Sequence, residues 1–249
     1  MKPIGIVSAL PAEARTLGPA ARHGAELRQL ADGALLAVSG IGESAAAAAA
    51  RRLVLAGATA LASFGMAGGL DPALICGAVL LPEEVAACDG AGSRTAVSAT
   101  SPAWRRRLRA ALPASCTVCG GKLLTSKRPV GRPGTKAAAW RESHAVAIDM
   151  ESAAVAQVAA QAGLPFIALR VIVDTAADEL PEAVLAASGA GQLRIGALIA
   201  GLLRAPRDVG ALIHLSARYR IARRVLADVA RPGSPARRAL VGGPEAEMS

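Results

Sequence analysis

Aromatic side chains are nearly missing from this sequence: two Trp, one Tyr and two Phe serve 249 residues. The 53% hydrophobic content must therefore rest on Ala, Val, Leu and Ile. Scarce rings also argue against single-stranded nucleic acid as a ligand, because bases bind by stacking on aromatic platforms. No uncharged apolar run approaches the ~20 residues that cross a bilayer. The start, Met1–Leu10, holds an apolar stretch too short for a signal peptide and reads as a buried strand. The expected location is the cytoplasm.

Metal and nucleotide signatures are missing too. His23, His144 and His214 are scattered without ligand spacing. Cys116 and Cys119 have the gap of half a zinc knuckle, but no second pair matches them. With Cys76 and Cys88 they are expected to be unpaired thiols of a reducing compartment, and no metal site or resident cofactor is expected. Neither the P-loop nor the Gly-x-Gly-x-x-Gly pattern occurs, which disfavours nucleoside triphosphates and nicotinamide cofactors.

What is present is an alternation of short apolar runs and Ala-rich segments. Residues 4–9, 34–39, 61–64, 77–81, 145–149 and 165–173 read as strands. Helices are expected just after Leu10 and over 43–56, 102–111, 152–162 and 190–203, while 88–147 is poorly legible apart from a Gly/Pro-rich loop near 126–135. Near-continuously apolar strands alternating with helices predict an α/β fold: one three-layer domain with a mostly parallel, twisted central sheet flanked by helices. Ligands bind such sheets beyond the carboxyl ends of the strands. Glu13, Gly40–Gly42, Gly65–Gly69, Glu151 and Asp174 all fall just after predicted strands, so one shared pocket is expected.

Two glycine stretches, Gly40-Ile41-Gly42 and Gly65-Met66-Ala67-Gly68-Gly69, either bring backbone donors to a ligand or simply turn tightly. Glu151 opens an Ala-rich helix beside Met150. A carboxylate there needs a partner, either Arg170 in a structural pair or the hydroxyls of a ligand. Asp174 closes the run Arg170-Val171-Ile172-Val173. It reads as a partly desolvated general acid or as the cap of a helical turn over Thr175–Asp178.

These residues in this order resemble the nucleoside phosphorylase superfamily, especially its methylthioadenosine/S-adenosylhomocysteine nucleosidase branch. The resemblance runs from about Pro3 to Leu203. It rests on Asp149-Met150-Glu151-Ser152-Ala153-Ala154, on Arg170 and Asp174, and on Glu13, Gly40-Ile41-Gly42 and the segment 65–70. Leu123–Val130 and Gly68–Pro72 look most like the hopanoid-associated phosphorylases, which implies release of adenine from adenosylhopane. The resemblance implies a small-molecule nucleoside substrate, a homo-oligomer and cleavage of an N-glycosidic bond. Asp174 would protonate purine N7, Glu151 would hold the ribose hydroxyls over Met150, and Glu13 would lie by the attacking water or phosphate. Met66, Ala67, Gly68, Arg170 and Arg128 are expected to touch substrate. Inorganic phosphate, the favoured co-substrate, would sit on Gly40, Gly42 and Arg15. Related enzymes usually carry Ser or Thr where Met66 stands, which weakens phosphorolysis and leaves hydrolysis as the alternative. A non-catalytic nucleoside- or lipid-binding module is a third reading, disfavoured by the three retained acids.

The net charge of +9 is concentrated at the end: Arg204 to Arg238 holds nine Arg against two Asp. A catalytic domain over 1–203 and a basic extension over 204–249 follow. Leu212, Leu215, Tyr219, Ala222, Leu226 and Val229 make a helical stripe over 209–229. Such a helix either lies on an anionic membrane or packs on its own domain. The tail past Arg231 is expected to be disordered.

Overall fold

The computed structural model describes residues 3–18, 27–88, 94–180 and 208–244. The helix expected over 190–203 lies outside them. The chain runs β1 (Ile4–Ser8), α1 (Pro11–Leu17), β2 (Arg28–Gln29), β3 (Leu35–Val38), α2 (Glu43–Leu55) and β4 (Ala60–Gly69). Then follow β5 (Val79–Leu80), β6 (Glu84–Cys88), β7 (Arg94–Ala99), α3 (Pro102–Ala111), β8 (Val118–Cys119) and β9 (Lys122–Ser126). The last elements are α4 (Pro133–Ser143), β10 (Ala145–Asp149), α5 (Ser152–Gln161), β11 (Phe166–Asp174), α6 (Asp208–Ala230) and α7 (Pro235–Val241).

The strands form one mixed, mostly parallel sheet in the order β2-β3-β1-β4-β10-β9-β6-β7, with β11, β5 and β8 branching from β4. β4 is the pivot. Its first half pairs in parallel with β1, its end turns to β10 antiparallel, and β11 follows it from Leu61 to Gly68. The stretch Gly65–Gly69, expected as a loop, is therefore the second half of this strand. Hydrogen bonding to β11 keeps it extended despite its glycines.

Alternation along the strands sorts the core onto two faces. Ile4, Ile6, Ala62, Phe64, Ile167, Leu169 and Val171 face α3, α6 and α7, where Trp104 and Leu108 fill the layer. Val7, Leu61, Phe166, Ala168 and Ile172 face α2 and α5, whose contacts are mostly Ala. Small residues there let the helices sit close to the sheet, which is how a chain with five rings still packs. Two of the few rings are spent on the first face, where Trp104 also donates Nε1–H to the Ala239 carbonyl at 3.0 Å.

The basic extension joins this core. Ala222, Leu226 and Val229, the described centre of the α6 stripe, are fully buried against the first face. This part of the stripe is thus covered by the chain's own domain, leaving Arg220, Arg223 and Arg224 exposed. Up to residue 244 the tail also forms regular structure where disorder was expected. Ser234 caps α7 by accepting the Arg237 N–H at 3.0 Å, a stabilising arrangement for a helix start. Arg237, itself buried, is 2.6 Å from Asp32. Ala236, Ala239 and Leu240 complete the core there, which is apolar burial that composition alone does not reveal.

Candidate active site

A cavity of about 230 Å³ opens at the carboxyl ends of β1, β4, β9, β10 and β11. A larger cleft of about 450 Å³ lies beside α2 and α5, but its lining includes none of the expected acids. Chemistry, not size, selects the first. Glu13, Met66, Ala67, Gly68, Met150, Glu151 and Asp174 all line it. So do Leu10, Ile41, Asp149, Leu180 and Tyr219, none of which had a role assigned from the sequence.

Glu13 sits in the first turn of α1 and is buried. Its Oε2 accepts the Leu10 N–H at 3.1 Å and the Ser8 hydroxyl at 3.3 Å, and its Oε1 accepts the Met66 N–H at 2.9 Å. Burial raises its pKa, against the lowering effect of the Arg170 charge and of the Leu10 and Met66 amides. A carboxyl moved toward neutrality is suited to accept a proton from water.

The glycines of β4 make room for acids. A Cβ on Gly65 would lie 2.8 Å from Glu13 Oε1, and one on Gly68 would lie 3.1 Å from Asp174 Oδ2. Any side chain at either place would displace a carboxylate. Gly65 and Gly68 thus clear β4 for the two carboxylates of the site.

Glu151 stands between β10 and α5. Its Oε1 accepts the Gly42 N–H at 2.9 Å and its Oε2 the Met150 N–H at 3.3 Å. Arg170 does not pair with it. The guanidinium is buried and donates Nε–H to Asp149 Oδ2 at 2.8 Å, while Nη2 reaches Ser63 at 2.6 Å and Ser152 at 2.9 Å. Asp149 Oδ1 also accepts from Thr125 at 2.7 Å and from the Glu151 and Ser152 amides at 3.3 Å. Arg170 and Asp149 are thus the buried bracket that fixes the start of α5, and Arg170 does not line the cavity. Burial and then the Asp149 carboxylate push Glu151 up to about 7, against Arg170 and the Gly42 amide.

That shift makes a stability prediction. Between the ordinary value of about 4.3 and the folded value, the native state holds a proton that the unfolded chain has lost. Stability from this group is complete below that window and falls as pH rises through it, by on the order of 3 kcal/mol at 1.36 kcal/mol per unit. Glu151→Gln has no proton to lose. It is expected to be more stable than the parent at pH 8.5 by that order, with the gap closing toward pH 5. Urea unfolding across this range checks it, and a gap independent of pH would refute it.

Asp174 ends β11, and its partner was not visible in the sequence. Lys136, fully buried on α4, places Nζ 2.5 Å from Asp174 Oδ2, 2.7 Å from the Thr175 carbonyl and 2.9 Å from the Asp178 carbonyl. Burial raises the Asp174 pKa, and Lys136 opposes the rise. Thr175–Asp178 closes a single turn, with the Asp178 N–H on the Thr175 carbonyl at 3.1 Å, but Asp174 does not cap it. Asp178 instead reaches back to the Thr175 N–H and hydroxyl, both at 2.7 Å.

The expected phosphate ligands fare differently. The Gly42 N–H is held by Glu151 and the Gly40 N–H by the Ala9 carbonyl at 3.0 Å, so neither amide is available to an anion. Arg15 and Arg128 have exposed side chains and do not line the cavity. At 126–130 the wall is made by Ser126, Pro129 and Val130. No cysteine lines the cavity; all four are unpaired, and burial pushes Cys119 up to about 11.

Known structures share this architecture. A Helicobacter pylori methylthioadenosine/S-adenosylhomocysteine nucleosidase with 5′-methylthioadenosine in its active site superposes with a TM-score of 0.64 at 20% identity, covering 84% of this chain and 99% of that one. The Neisseria meningitidis nucleosidase in complex with methylthio-immucillin-A gives 0.63 at 22% identity, over 82% and 100%. Futalosine hydrolase of Helicobacter pylori gives 0.64 at 19%, over 82% and 97%. No curated protein matches the chain. Matched from residue 3 to residue 204, the chain belongs to the Phosphorylase superfamily.

Proposed function

We propose that the protein cleaves the N-glycosidic bond of a 5′-modified adenosine and releases adenine, with water as the attacking group. The observation that carries this reading is the convergence of Glu13, Glu151 and Asp174 on one apolar cavity. Bond cleavage leaves a sugar with oxocarbenium character and a purine that departs more easily once N7 is protonated. Asp174 supplies that proton. Glu151 accepts hydrogen bonds from the ribose hydroxyls, and the carboxylates stabilise the positive charge that develops on the ring. Glu13 takes the proton of the attacking water.

Water is favoured over phosphate because phosphate needs cationic or free amide donors at the attacking side. There the Gly40, Gly42 and Met66 amides are committed within the protein, and the Glu13 carboxylate would repel an anion. Hydrolysis thus replaces the phosphorolysis that the sequence resemblance suggests. Adenosylhopane, named by that same resemblance, remains a substrate candidate because Leu10, Ile41, Val130 and Leu180 give the cavity apolar walls.

The test is adenine release from 5′-methylthioadenosine and from a 5′-alkylated adenosine, each with and without phosphate. Equal rates are expected, with the unphosphorylated 5-modified ribose as product. A strict phosphate requirement giving ribose 1-phosphate would replace hydrolysis by phosphorolysis. Tight binding without release would make the protein a binding module.

A further inference from the structure

Asp174 is tied to a helix that lies outside the family match. That match ends at residue 204, whereas α6 begins at Asp208. α6 packs on β11, the strand that ends at Asp174, with Ala222, Leu226 and Val229 buried along its inner side. Arg218 lies one turn before Ala222 on the same side of the helix, and its Nη2 is 2.9 Å from Asp178 Oδ1. The pair is largely withdrawn from solvent, its side chains being 24% and 14% exposed. His214, a further turn back, is 4.0 Å from the same oxygen and 63% exposed, so Arg218 is the closer and better-shielded cation.

Asp178 in turn reaches Asp174 by two routes. Its other oxygen, Oδ2, accepts the N–H and the hydroxyl of Thr175, the residue after Asp174, both at 2.7 Å. Its carbonyl and that of Thr175 accept from Lys136 Nζ at 2.9 and 2.7 Å, and the same ammonium donates to Asp174 Oδ2. An ammonium has three donors, so Lys136 is fully committed and keeps one orientation only while both carbonyls stay in place. Against the effect of burial, the Thr175 donors, Arg218 and Lys136 hold the Asp178 carboxyl below its ordinary value, which keeps it ionised for this task.

Resting on adenine release as proposed above, we infer that Arg218 is a positioning residue: by anchoring Asp178 it keeps the Thr175–Asp178 turn closed around Lys136 and so holds Asp174 in place for the leaving base. Arg218 does not line the cavity and acts only through Asp178. Without it the Asp178 carboxylate loses its outer partner, and its charge, four residues from Asp174, competes for the Lys136 ammonium. A shift of about 1 Å at a reacting group can cost on the order of a hundredfold in rate. Substrate binding at Glu151 and on the apolar walls uses none of these contacts. The basic extension thereby belongs to the catalytic unit, and its part is to keep the acid aligned.

Adenine release from 5′-methylthioadenosine is compared among the parent, Arg218→Met, Arg218→Lys, Asp178→Asn and the double variant Arg218→Met/Asp178→Asn. Arg218→Met is expected to lower kcat by on the order of tenfold to a hundredfold, with KM within about threefold of the parent. The contact is a single N–O approach and not a bidentate fork, so Arg218→Lys should restore kcat to within about threefold. Once Asp178→Asn has removed the carboxylate, adding Arg218→Met should cost less than about twofold more, because the two residues act as one unit. An unchanged kcat in Arg218→Met, a loss in KM alone, a lysine no better than methionine, or full additivity of the two substitutions would overturn the assignment. If Arg218→Met does not fold, Arg218→Gln takes its place in every comparison. A parent that releases no adenine refutes adenine release itself, whereas an active parent whose kcat is indifferent to Arg218 refutes only this inference.

Discussion

Asp174→Asn is expected to lower kcat for adenine release by at least a hundredfold while KM changes by less than about threefold, the range for removing a general acid. The amide is isosteric with the acid. Its oxygen can still accept from Lys136, which now lies 2.5 Å from Oδ2, and its NH2 can still donate to purine N7. The ground-state hydrogen bond therefore survives, and only transfer of the proton is lost. An interaction present only in the transition state shows up in kcat and not in binding. A riboside with a nitrophenolate leaving group needs no such proton, so the variant should lose far less with it. Equal losses on both substrates would show that Asn disturbs the site as a whole, and an unchanged kcat would remove Asp174 from the acid role.

Lys136 shows why that acid was only half legible. The sequence points to Asp174 because a carboxylate that ends an apolar strand is conspicuous. Its cation comes from α4, a helix whose start at Pro133 follows a rule, since proline fits a first helical turn, yet lies in the Gly/Pro-rich stretch read as a loop. A lone lysine followed by Ala137-Ala138-Ala139 gives no sign that it is buried. Arg170 was legible as a buried cation but not in its pairing. Glu151 and Asp149 lie two residues apart near the end of β10, and only the turn into α5 decides which of them faces the guanidinium.

The glycine stretch misled in a different way. Gly65–Gly69 has the composition of a ligand-binding loop, whereas in the fold it is strand, cleared of side chains so that Glu13 and Asp174 can approach β4. Continuous apolar runs still placed the central strands well. Ile4 and Ile6 against Val7, and Ile167 and Leu169 against Ala168, are sorted between faces by parity alone. The strands β6, β7 and β9, beyond β10 in the sheet, were missed, since short pieces such as Lys122–Ser126 carry little alternation. Past Arg231 the ordered helix depends on Asp32 meeting Arg237, a contact across about two hundred residues that no local pattern encodes.

Lys136→Met is expected to destabilise the fold by about 3–5 kcal/mol, the cost of breaking a buried charge pair by removing one partner. The substitution keeps the apolar stem but removes the donor to Asp174, Thr175 and Asp178, leaving a buried carboxylate and two buried carbonyls without it. Burial then raises the Asp174 pKa without the opposing ammonium, so in the variant the folded state favours the protonated, neutral acid more strongly. A carboxyl raised in the folded state contributes stability at low pH that is lost as pH rises through the folded value. The deficit relative to the parent should therefore be larger at pH 8 than at pH 5. Adding Asp174→Asn to Lys136→Met removes the unpaired charge and should recover a large part of the loss, giving a favourable coupling energy in a double-mutant cycle. Urea unfolding of the four proteins at the two pH values measures both effects. A deficit that ignores pH and is not relieved by Asp174→Asn would mean that Lys136 matters for packing and its two carbonyl contacts, and that the acid owes it nothing.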